Sequence, residues 1–231
     1  MSLTFDSENG SRQSQTRRRI LDAAETLFAE KGFEATSLRM ITTEAGVNLA
    51  AVNYHFRSKD ALIDAVIARR LQPINQERLA MLAEATDRAA GKPPELEEII
   101  RAIIAPVLRL RRRDPDLGRR VGLLFARTYA DPNEMVRPVF FNHMREIFRP
   151  FTEAMRRALP SLPPAELLWR MHFGVGVMAH TLAGCDHLKV ISGGLCDLSD
   201  VEAVIERMVN FICAGMRAPL VAQPGRYLEN L

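Results

Sequence analysis

The sequence predicts an all-α protein. Apolar residues recur every three or four positions along most of the 231 residues, which is the spacing that places them on one face of a helix. No stretch shows sustained two-residue alternation with hairpin turn signals, the pattern typical of strands. Hydrophobic residues make up 47% of the chain, which is enough for a sizeable core.

Three helices are expected near the N-terminus, followed by a longer one. The first three cover Ser14 or Thr16 to Lys31, Leu38 to Ala45 and Leu49 to His55. Thr36 or Ser37 can cap the second helix, and Gly46 can end it. The fourth begins behind the hydroxyl of Ser58 and runs towards Ala83, with a kink expected at Pro73.

Five further helices are expected after the GKPP segment at 91–94, which is the clearest break in the chain. They cover Glu95 to Arg113, Asp116 to Tyr129, Asn133 to Ala158, Ala165 to Ala183 and Ser199 to Met216. Ser199 and Glu202 have the spacing of a capping box. The arginine-rich segment 109–120 is expected to be a solvated helix end or to contact an acidic partner, rather than nucleic acid.

Composition excludes several classes of protein. A formal net charge of +3 is too small to establish a polyanionic partner, so DNA binding must be argued from where basic residues lie. Cys185, Cys196 and Cys213 fit neither a disulfide framework nor a zinc site and favour a cytoplasmic location. No apolar run reaches the length of about 20 residues that a membrane span needs.

The two ends of the chain, residues 1–13 and 219–231, are expected to be tails outside the folded domains.

The two short helices have the proportions of a helix-turn-helix, whose second helix enters the DNA major groove. The inward positions are Leu38, Ile41, Ala45, Val47, Val52 and Phe56. The outward or lateral positions are Asn48, Ala50, Ala51, Asn53, Tyr54 and His55. Asparagine can pair with the edge of adenine, and alanine can contact the methyl group of thymine. Asn53 is therefore the best candidate for reading a base.

Basic and hydroxyl side chains around this unit are candidates for binding phosphate. Lys59 lies on the first turn of the next helix, where free backbone amides also favour an anion. Thr36, Ser37 and Arg39 can contact the backbone from the other side, and Tyr54 and His55 can also reach phosphates. Thr16 and Arg17 belong to an arginine-rich arm that can follow the DNA. Each feature alone has an ordinary structural explanation. A two-helix unit can be a packing unit without a DNA partner, and an arginine run can be a solvent-exposed helix face.

The segment TSLRMITTEAGVNLAAVNYHFRSKDALIDAV, at 36–66, closely resembles the DNA-binding module of the TetR family of bacterial transcriptional regulators. TRRRILDAAETLFAEKGFEATS before it matches the first helix of that module. The resemblance implies an all-helical dimer with a DNA-binding domain over 14–62 and a ligand-binding and dimerisation domain over 63–218. The sequence departs from the family where Ala50 replaces a common glycine and Asn53 a common tyrosine.

The segments ELLWRMHFGVGVMAHTLAG and CAGMRAP, together with VNLAAVNYHF, are similar to a fatty-acid-responsive, PsrA-like subgroup of the family. This resemblance implies a lipophilic effector such as a fatty acid or acyl-CoA. The residues expected to line its tunnel are Leu124, Phe125, Arg127, Phe140, Phe141, Phe148, Trp169, His172, Phe173 and Val177, with His172 or Arg127 meeting the carboxylate or thioester. The alternative is that most of them are simply core residues.

The last two helices resemble the dimerisation pair of the family. We expect them to bury Val204, Met208, Val209, Phe211 and Ile212 in a four-helix bundle, with Gly174 and Gly176 allowing close approach. The predicted function is a ligand-responsive homodimeric repressor with a palindromic operator and no cofactor or membrane association, although activation of transcription is also open. The alternative class is a small helical enzyme or metal sensor using His172, His180, Asp186 and His187.

Overall fold

A computed structural model of the chain describes residues 4–130, 136–197 and 199–220, and the side chains of residues 4–11, 126, 129, 130 and 183–187 lie outside this description. Over the described residues the fold has nine helices and no strand. The helices are α1 Thr4–Lys31, α2 Leu38–Ala45, α3 Leu49–Phe56, α4 Lys59–Arg88, α5 Leu96–Arg113, α6 Pro115–Ala130, α7 Val136–Ala158, α8 Pro164–Ile191 and α9 Val201–Arg217. The all-α prediction is confirmed.

Three helices are longer than predicted. Helix α1 begins at Thr4 rather than near Ser14, since extending an existing helix through a proline-free segment costs little. Helix α4 continues through Pro73 to Arg88. Helix α8 passes the position of Gly184 and ends before Ser192, because one glycine weakens a helix without necessarily ending it.

The N-terminal helices share a core that fixes the orientation of α3. Phe28 of α1, Ile41 of α2 and Val52 of α3 are each at most 1% exposed. Phe56 at the end of α3 is also buried. All six positions predicted to face inward are buried or packed against the core. Helix α4 adds Leu62 and Val66 to this core and then continues into the C-terminal part of the chain.

In the C-terminal part, α5 packs against α4, α6, α7 and α9. Several arginine–glutamate pairs join α5 to α9, among them Arg109 with Glu202 at 2.9 and 3.0 Å, Arg101 with Glu206, and Arg217 with Glu97. The arginine-rich segment 109–120 also pairs with acids of this chain, through Arg112 with Glu202, Arg113 with Glu77, and Arg120 with Glu25. These arginines are therefore used, at least in part, to join helices of the same chain.

The start of α9 differs from the predicted capping box. Asp200, rather than Ser199, caps the helix, and its Oδ1 accepts a hydrogen bond from the Ala203 amide at 3.0 Å. Glu202 cannot complete the box because its carboxylate pairs with Arg109. The ion pair of Glu202 with Arg109 of α5 has therefore replaced the predicted hydrogen bond within the first turn of α9.

Among the residues that the structure describes, no helix combines the length and apolar character needed to cross a membrane.

Candidate DNA interface and effector cavity

The turn between α2 and α3 is fixed by local caps and by one contact from α1. The Ser37 hydroxyl accepts from the Met40 amide at 3.2 Å, and Asn48 Oδ1 accepts from the Ala51 amide at 2.9 Å. Gly46 has φ of +60°, a conformation that glycine adopts without strain. Arg19 of α1 donates to the carbonyl oxygens of Ala45 and Gly46. These bonds hold α3 in one orientation relative to α1.

Most of the residues predicted to contact DNA lie at the surface. Arg17, Ser37, Arg39, Asn48, Ala50, Asn53 and Tyr54 are exposed, while Thr16, Ala51, His55 and Lys59 are half-buried. Asn53 and Tyr54 thus project from α3 while Val52 and Phe56 face the core. The exposed side chains of Leu49 and Arg57 extend this surface. Sequence reasoning missed both, although Arg57 lies only two residues from Lys59.

Thr36 does not fit the predicted phosphate contact. Its side chain is fully buried, and its hydroxyl donates towards the carbonyl oxygens of Gly32 at 2.7 Å and Leu27 at 3.2 Å. The hydroxyl therefore closes the turn after α1.

The capping residues Ser37 and Asn48 can still donate hydrogen bonds to DNA. Each uses a side-chain oxygen as the acceptor of its cap, which leaves the hydroxyl hydrogen of serine and the amide hydrogens of asparagine as donors.

Basic side chains on three elements flank α3. The Arg17 guanidinium of α1 lies 5.3 Å from the centre of the Phe56 ring, a cation–π distance. Lys59 Nζ donates to the Glu34 carbonyl oxygen at 3.3 Å, so its charge stays at the first turn of α4. Arg39 is exposed on α2. The arrangement places cations on either side of a polar helix face, as phosphate binding requires.

The residues predicted to line one acyl tunnel do not come together. Leu124, Phe125 and Phe140 are buried and Val177 is half-buried, whereas Phe141, Phe148, Trp169, His172 and Phe173 are exposed. The prediction of a single tunnel is wrong in this respect. Helices α7 and α8 carry aromatic residues on two faces, and spacing alone does not tell which face is inside.

Arg127 also has a role other than the predicted one. Its Nε donates to the Ala29 carbonyl oxygen at 2.8 Å, and its Nη2 donates to the Glu30 carbonyl oxygen at 2.6 Å. Arg127 therefore binds the last turn of α1 rather than an effector. Nearby, Glu25 of α1 is 2% exposed and pairs with Arg70 of α4 at 2.6 Å. Helices α4 and α6 are both anchored to the DNA-binding module by these contacts.

Two of the small apolar cavities in the C-terminal part share Met178 in their lining. The larger, of about 50 Å³, lies among α5, α7, α8 and α9 and includes Met155, Met171, Met178, Met216 and Arg170 in its lining. The smaller, of about 10 Å³, is lined by Leu71, Arg78, Phe125, Phe140, Met144, Met178, Ala179 and Leu182. Both are below the roughly 300 Å³ of ordinary small-molecule sites. Arg78, which sequence reasoning missed, is 1% exposed.

The predicted dimer residues are mostly buried within one chain. Val204, Met208, Val209 and Ile212 are at most 8% exposed, because the apolar face of α9 packs against α5 and α8. Of the five predicted positions, Phe211 alone is exposed, at 67%. The prediction for the other four is therefore wrong, since side chains already covered by their own chain add little to a second interface.

A different apolar surface, which we call the α8–α9 face, is exposed. We define it by the exposed residues Leu168, Trp169, His172, Phe173 and Gly176 of α8 together with Phe211, which is exposed on α9, the helix packed against α8. The Trp169 and Phe173 rings stack with centroids 5.8 Å apart. A Cβ added at Gly176 would meet no atom within 4 Å, which places this glycine on the outside of α8, whereas one at Gly174 would lie 3.3 Å from Ile212. The spacing of 169, 173 and 176 along α8 could have identified this face.

The histidines of the enzyme alternative do not form a recognisable site. His172 and His180 are exposed on α8, and the side chains of Asp186 and His187 lie outside the described residues. The described side chains contain no group of three or more potential metal ligands. Burial raises the pKa of the Cys213 thiol to about 11, which makes it a poor nucleophile at neutral pH.

Comparison with known families identifies both parts of the chain. Residues 20–66 match the family described as bacterial regulatory proteins, tetR family, and residues 101–215 match the tetracyclin repressor-like C-terminal domain. Similar proteins include an uncharacterized HTH-type transcriptional regulator in the dhlA 5′ region of Xanthobacter autotrophicus, 28% identical over 72% of this chain and 76% of that protein. The HTH-type transcriptional repressor KstR of Rhodococcus jostii is 27% identical over 56% of this chain and 66% of that protein.

A solved structure with the same fold is the fatty acid degradation regulator FadR from Bacillus halodurans. Its TM-score is 0.63 at 14% identity, and the match covers 88% of this chain and 97% of that one. At this identity the likeness concerns the fold alone. Residue roles in the present chain must therefore be argued from its own geometry.

Proposed function

The chain belongs to the TetR family of bacterial regulatory proteins, and from this membership we propose that it is a homodimeric repressor of transcription that leaves its operator when a small lipophilic effector binds. It is a transcriptional regulator rather than an enzyme, as are the relatives it matches. We further propose that it acts in the cytoplasm, where operator DNA is found.

The observation that carries the proposal is the exposed face of α3. Ala50 and Asn53 lie one turn apart and are both exposed, so a small side chain allows close approach beside an amide that can pair with adenine. In the proposed complex Asn53 reads a base, while Tyr54 and His55 contact phosphates. Ser37, Arg39, Asn48, Lys59 and Arg17 supply further phosphate contacts, and Thr16 and Ala51 lie beside the DNA.

Dimerisation is proposed to occur through the α8–α9 face. Obligate interfaces resemble a divided hydrophobic core, and exposed aromatic side chains such as Trp169, Phe173 and Phe211 are typical of interface centres. Gly176 would let α8 approach its copy closely. A two-fold dimer then presents two α3 helices about one DNA turn, roughly 34 Å, apart, which requires a near-palindromic operator.

The effector is proposed to bind between the C-terminal helices and to act through α4 and α6. A fatty acid or acyl-CoA is the proposed class, which the named role of FadR in fatty acid degradation supports. An effector that binds the non-operator conformation more tightly lowers operator affinity by the difference, typically about 1–3 kcal/mol.

The test is selection of bound duplexes from a random DNA library by the full chain, repeated with decanoate and with decanoyl-CoA. We expect enrichment of a palindrome with half-sites one helical turn apart and its loss when the effector is present. Enrichment of a single half-site would contradict the dimer, and no enriched sequence would contradict operator binding. A palindrome insensitive to both ligands would contradict the effector.

A further inference from the structure

A polar groove of about 530 Å³ lies at the surface between α1 and α4. We call it the α1–α4 groove, and its lining includes Arg17, Arg18 and Leu21 of α1 and Asp64, Ala68 and Arg69 of α4. Its volume falls within the roughly 300–1,000 Å³ of ordinary small-molecule sites, whereas the two cavities of the C-terminal part are far smaller. The groove can therefore hold a small ligand.

The spacing of residues along the two helices explains the shape of the groove. Arg17, Arg18 and Leu21 are three or four positions apart and so share one face of α1. On α4, Ala65 and Ala68 are three positions apart and both line the groove. Their methyl groups leave open the space that longer side chains would fill. Because Leu21 is 4% exposed, the groove has apolar residues at its base and charged side chains around them.

Two of the arginines in the groove are available to a ligand. Arg18 forms no hydrogen bond or ion pair with any residue that the structure describes. Arg17 lies 5.3 Å from the centre of the Phe56 ring, a contact that uses the face of the guanidinium and leaves its N–H groups as donors. Both side chains are exposed. A guanidinium presents its donors in a planar fork that matches the oxygens of a phosphate.

Other arginines contrast with these two, because the chain itself uses their donors. The Arg170 Nε donates to Glu166 at 2.8 Å. Its Nη1 donates to the carbonyl oxygens of Met216 at 2.9 Å and Ala218 at 2.6 Å. Arg170 thus holds the end of α9.

The third arginine of the groove is balanced by an acid. Arg69 Nη1 lies 2.6 Å from Asp22 Oδ1, although the angle does not make a hydrogen bond. The charge of Arg69 is therefore compensated within the chain. Arg17 and Arg18 then supply the positive charge that remains for a ligand.

Asp64 adds a contact of a different kind. Its Oδ1 lies 2.8 Å from the Nε2 of His143 on α7, which fixes the carboxylate at the edge of the groove. A carboxylate accepts several hydrogen bonds, so Asp64 can also accept one from a hydroxyl group of a ligand. A bare phosphate would be repelled by this carboxylate, whereas a phosphate attached to a group with hydroxyls would use it.

We propose that the α1–α4 groove binds a phosphorylated sugar, either free or as part of a nucleotide. The phosphate binds the guanidinium groups of Arg17 and Arg18, and a sugar hydroxyl donates to Asp64. This site is separate from that of the lipophilic effector, which binds between the C-terminal helices. Because Arg17 is also a proposed DNA contact, the ligand and the operator compete for it. The competition rests on the proposed function, whereas binding in the groove does not.

The test measures binding of ribose 5-phosphate and AMP to the full chain without DNA, by calorimetry in about 0.15 M salt, which screens exposed charges. Ribose, adenosine and inorganic phosphate are the comparison ligands. We expect at least one phosphorylated ligand to bind at least about tenfold more tightly than all three, since charge-assisted bonds to arginine are strong. Binding of AMP alone would identify a nucleotide, and binding of both would identify the sugar phosphate.

Arg18→Gln should weaken this binding at least about tenfold, because it removes one guanidinium from the phosphate. Ala68→Met fills the groove without changing any charge and should have a similar effect. Arg12→Gln removes an exposed arginine of α1 that does not line the groove, and it should leave binding unchanged. Thermal melting of each variant confirms that it is folded. If Ala68→Met does not fold, Arg18→Gln decides, since its side chain is exposed.

Equal binding of the phosphorylated and unphosphorylated ligands, no binding at all, or unchanged binding in Arg18→Gln would each overturn the proposal. If neither phosphorylated ligand binds while Arg18→Gln weakens binding to random duplexes, the groove belongs to the DNA interface instead. Anisotropy of labelled operator measures the competition, and an operator affinity that the bound ligand leaves unchanged would overturn it. Calorimetry needs no DNA and operator selection needs no ligand, so failure of this proposal and failure of the proposed function are distinguishable.

Discussion

Asn53 is exposed on α3, one turn after Ala50, while Val52 beside it is buried. Because the backbone of α3 is fixed by the Asn48 cap and by Arg19, truncating Asn53 should change contacts with DNA and leave the fold unchanged. If this truncation weakens binding to the operator more than binding to random duplexes, the loss can be assigned to recognition of a base by Asn53.

We expect Asn53→Ala to weaken binding to the selected operator by about 1–3 kcal/mol, the usual value of a bidentate base contact. Binding to random duplexes should change much less, since it depends on phosphate contacts. Fluorescence anisotropy with both duplexes measures the difference. Asn142→Ala, which removes an exposed asparagine of α7, is the control. Equal losses on operator and random DNA would rule out base reading by Asn53.

Some residue roles were predictable because they depend only on near neighbours. Ser37, Gly46 and Ser58 end or begin helices as expected, since caps are set within three or four residues. The burial of Thr36, the contact of Arg127 with α1 and the position of Arg78 depend on residues distant in sequence. Polar residues of these types are usually exposed, so sequence alone favours a surface role.

At the scale of helices, the choice between two apolar faces could not be made from sequence. Both Phe211 and Ile212 are apolar neighbours on α9, yet Phe211 is 67% exposed and Ile212 6%. Which of them is buried is decided by α5 and α8, which cover the side of α9 that carries Ile212. The exposed neighbour is then available for contact with a second molecule.

Phe173→Glu and Phe211→Glu should each convert the dimer to monomer, because either change places a charge in the apolar α8–α9 face. Light scattering after size-exclusion chromatography measures the mass, for which one chain contributes 26.0 kDa. Phe148→Glu, at a phenylalanine of α7 that is 55% exposed, should remain dimeric. If both variants stay dimeric and folded, this face is not the interface.

The arginine–glutamate pairs between α5 and α9 predict a dependence of stability on pH. Hydrogen bonds from Arg217, Arg109 and Arg101 hold the pKa of Glu97, Glu202 and Glu206 below the ordinary value of 4.5. Their stabilisation is therefore complete above that value and is lost as pH falls through the lower pKa of the folded state. Because these carboxylates are partly exposed, each contribution should be modest.

Melting temperature measured between pH 7 and pH 3 should fall less in Glu202→Gln than in the unaltered protein, since the variant lacks one of the titrating groups. At pH 7 the same variant should already melt slightly lower. Glu84→Gln changes an exposed glutamate whose nearest arginine contact is 3.9 Å away, and it should reproduce the unaltered profile. A Glu202→Gln profile parallel to the unaltered one would contradict the assignment.

On the scale of the whole molecule, the cavities and the recognition helix are connected through α4 and α6. Helix α4 runs from the end of the helix-turn-helix to Arg88, and α6 joins the cavity residue Phe125 to α1 through Arg127. The family resemblance predicted separate DNA-binding and ligand-binding domains, and the Ser58 cap with the apolar spacing after it predicted α4. The contact between α6 and α1 could not be predicted, because it joins residues 97 and 98 positions apart.

Arg127→Met should retain operator binding but reduce the effect of decanoate on it. Coupling of about 1–3 kcal/mol corresponds to a change in affinity of about 5- to 150-fold, and we expect the variant to lose at least half of that free energy. Anisotropy titrations of labelled operator with and without decanoate measure it. Arg119→Met, at an exposed arginine of the same helix, should keep the full response. An equal response in both variants would exclude Arg127 from the connection.

The hydrogen bonds between Arg170 and the end of α9 predict how nonsense mutations near the C-terminus affect the protein. Its guanidinium donates hydrogen bonds to the carbonyl oxygens of Met216 and Ala218, and makes a longer contact with that of Pro219 at 3.4 Å. A premature stop codon after Leu220 would leave all of these acceptors in place, whereas one after Gly215 would remove them and leave the guanidinium of Arg170, which is 8% exposed, with only Glu166 and the Gly215 carbonyl as partners. Nonsense mutations only five codons apart should therefore differ in outcome, the longer chain remaining folded and the shorter one being less stable and more readily degraded.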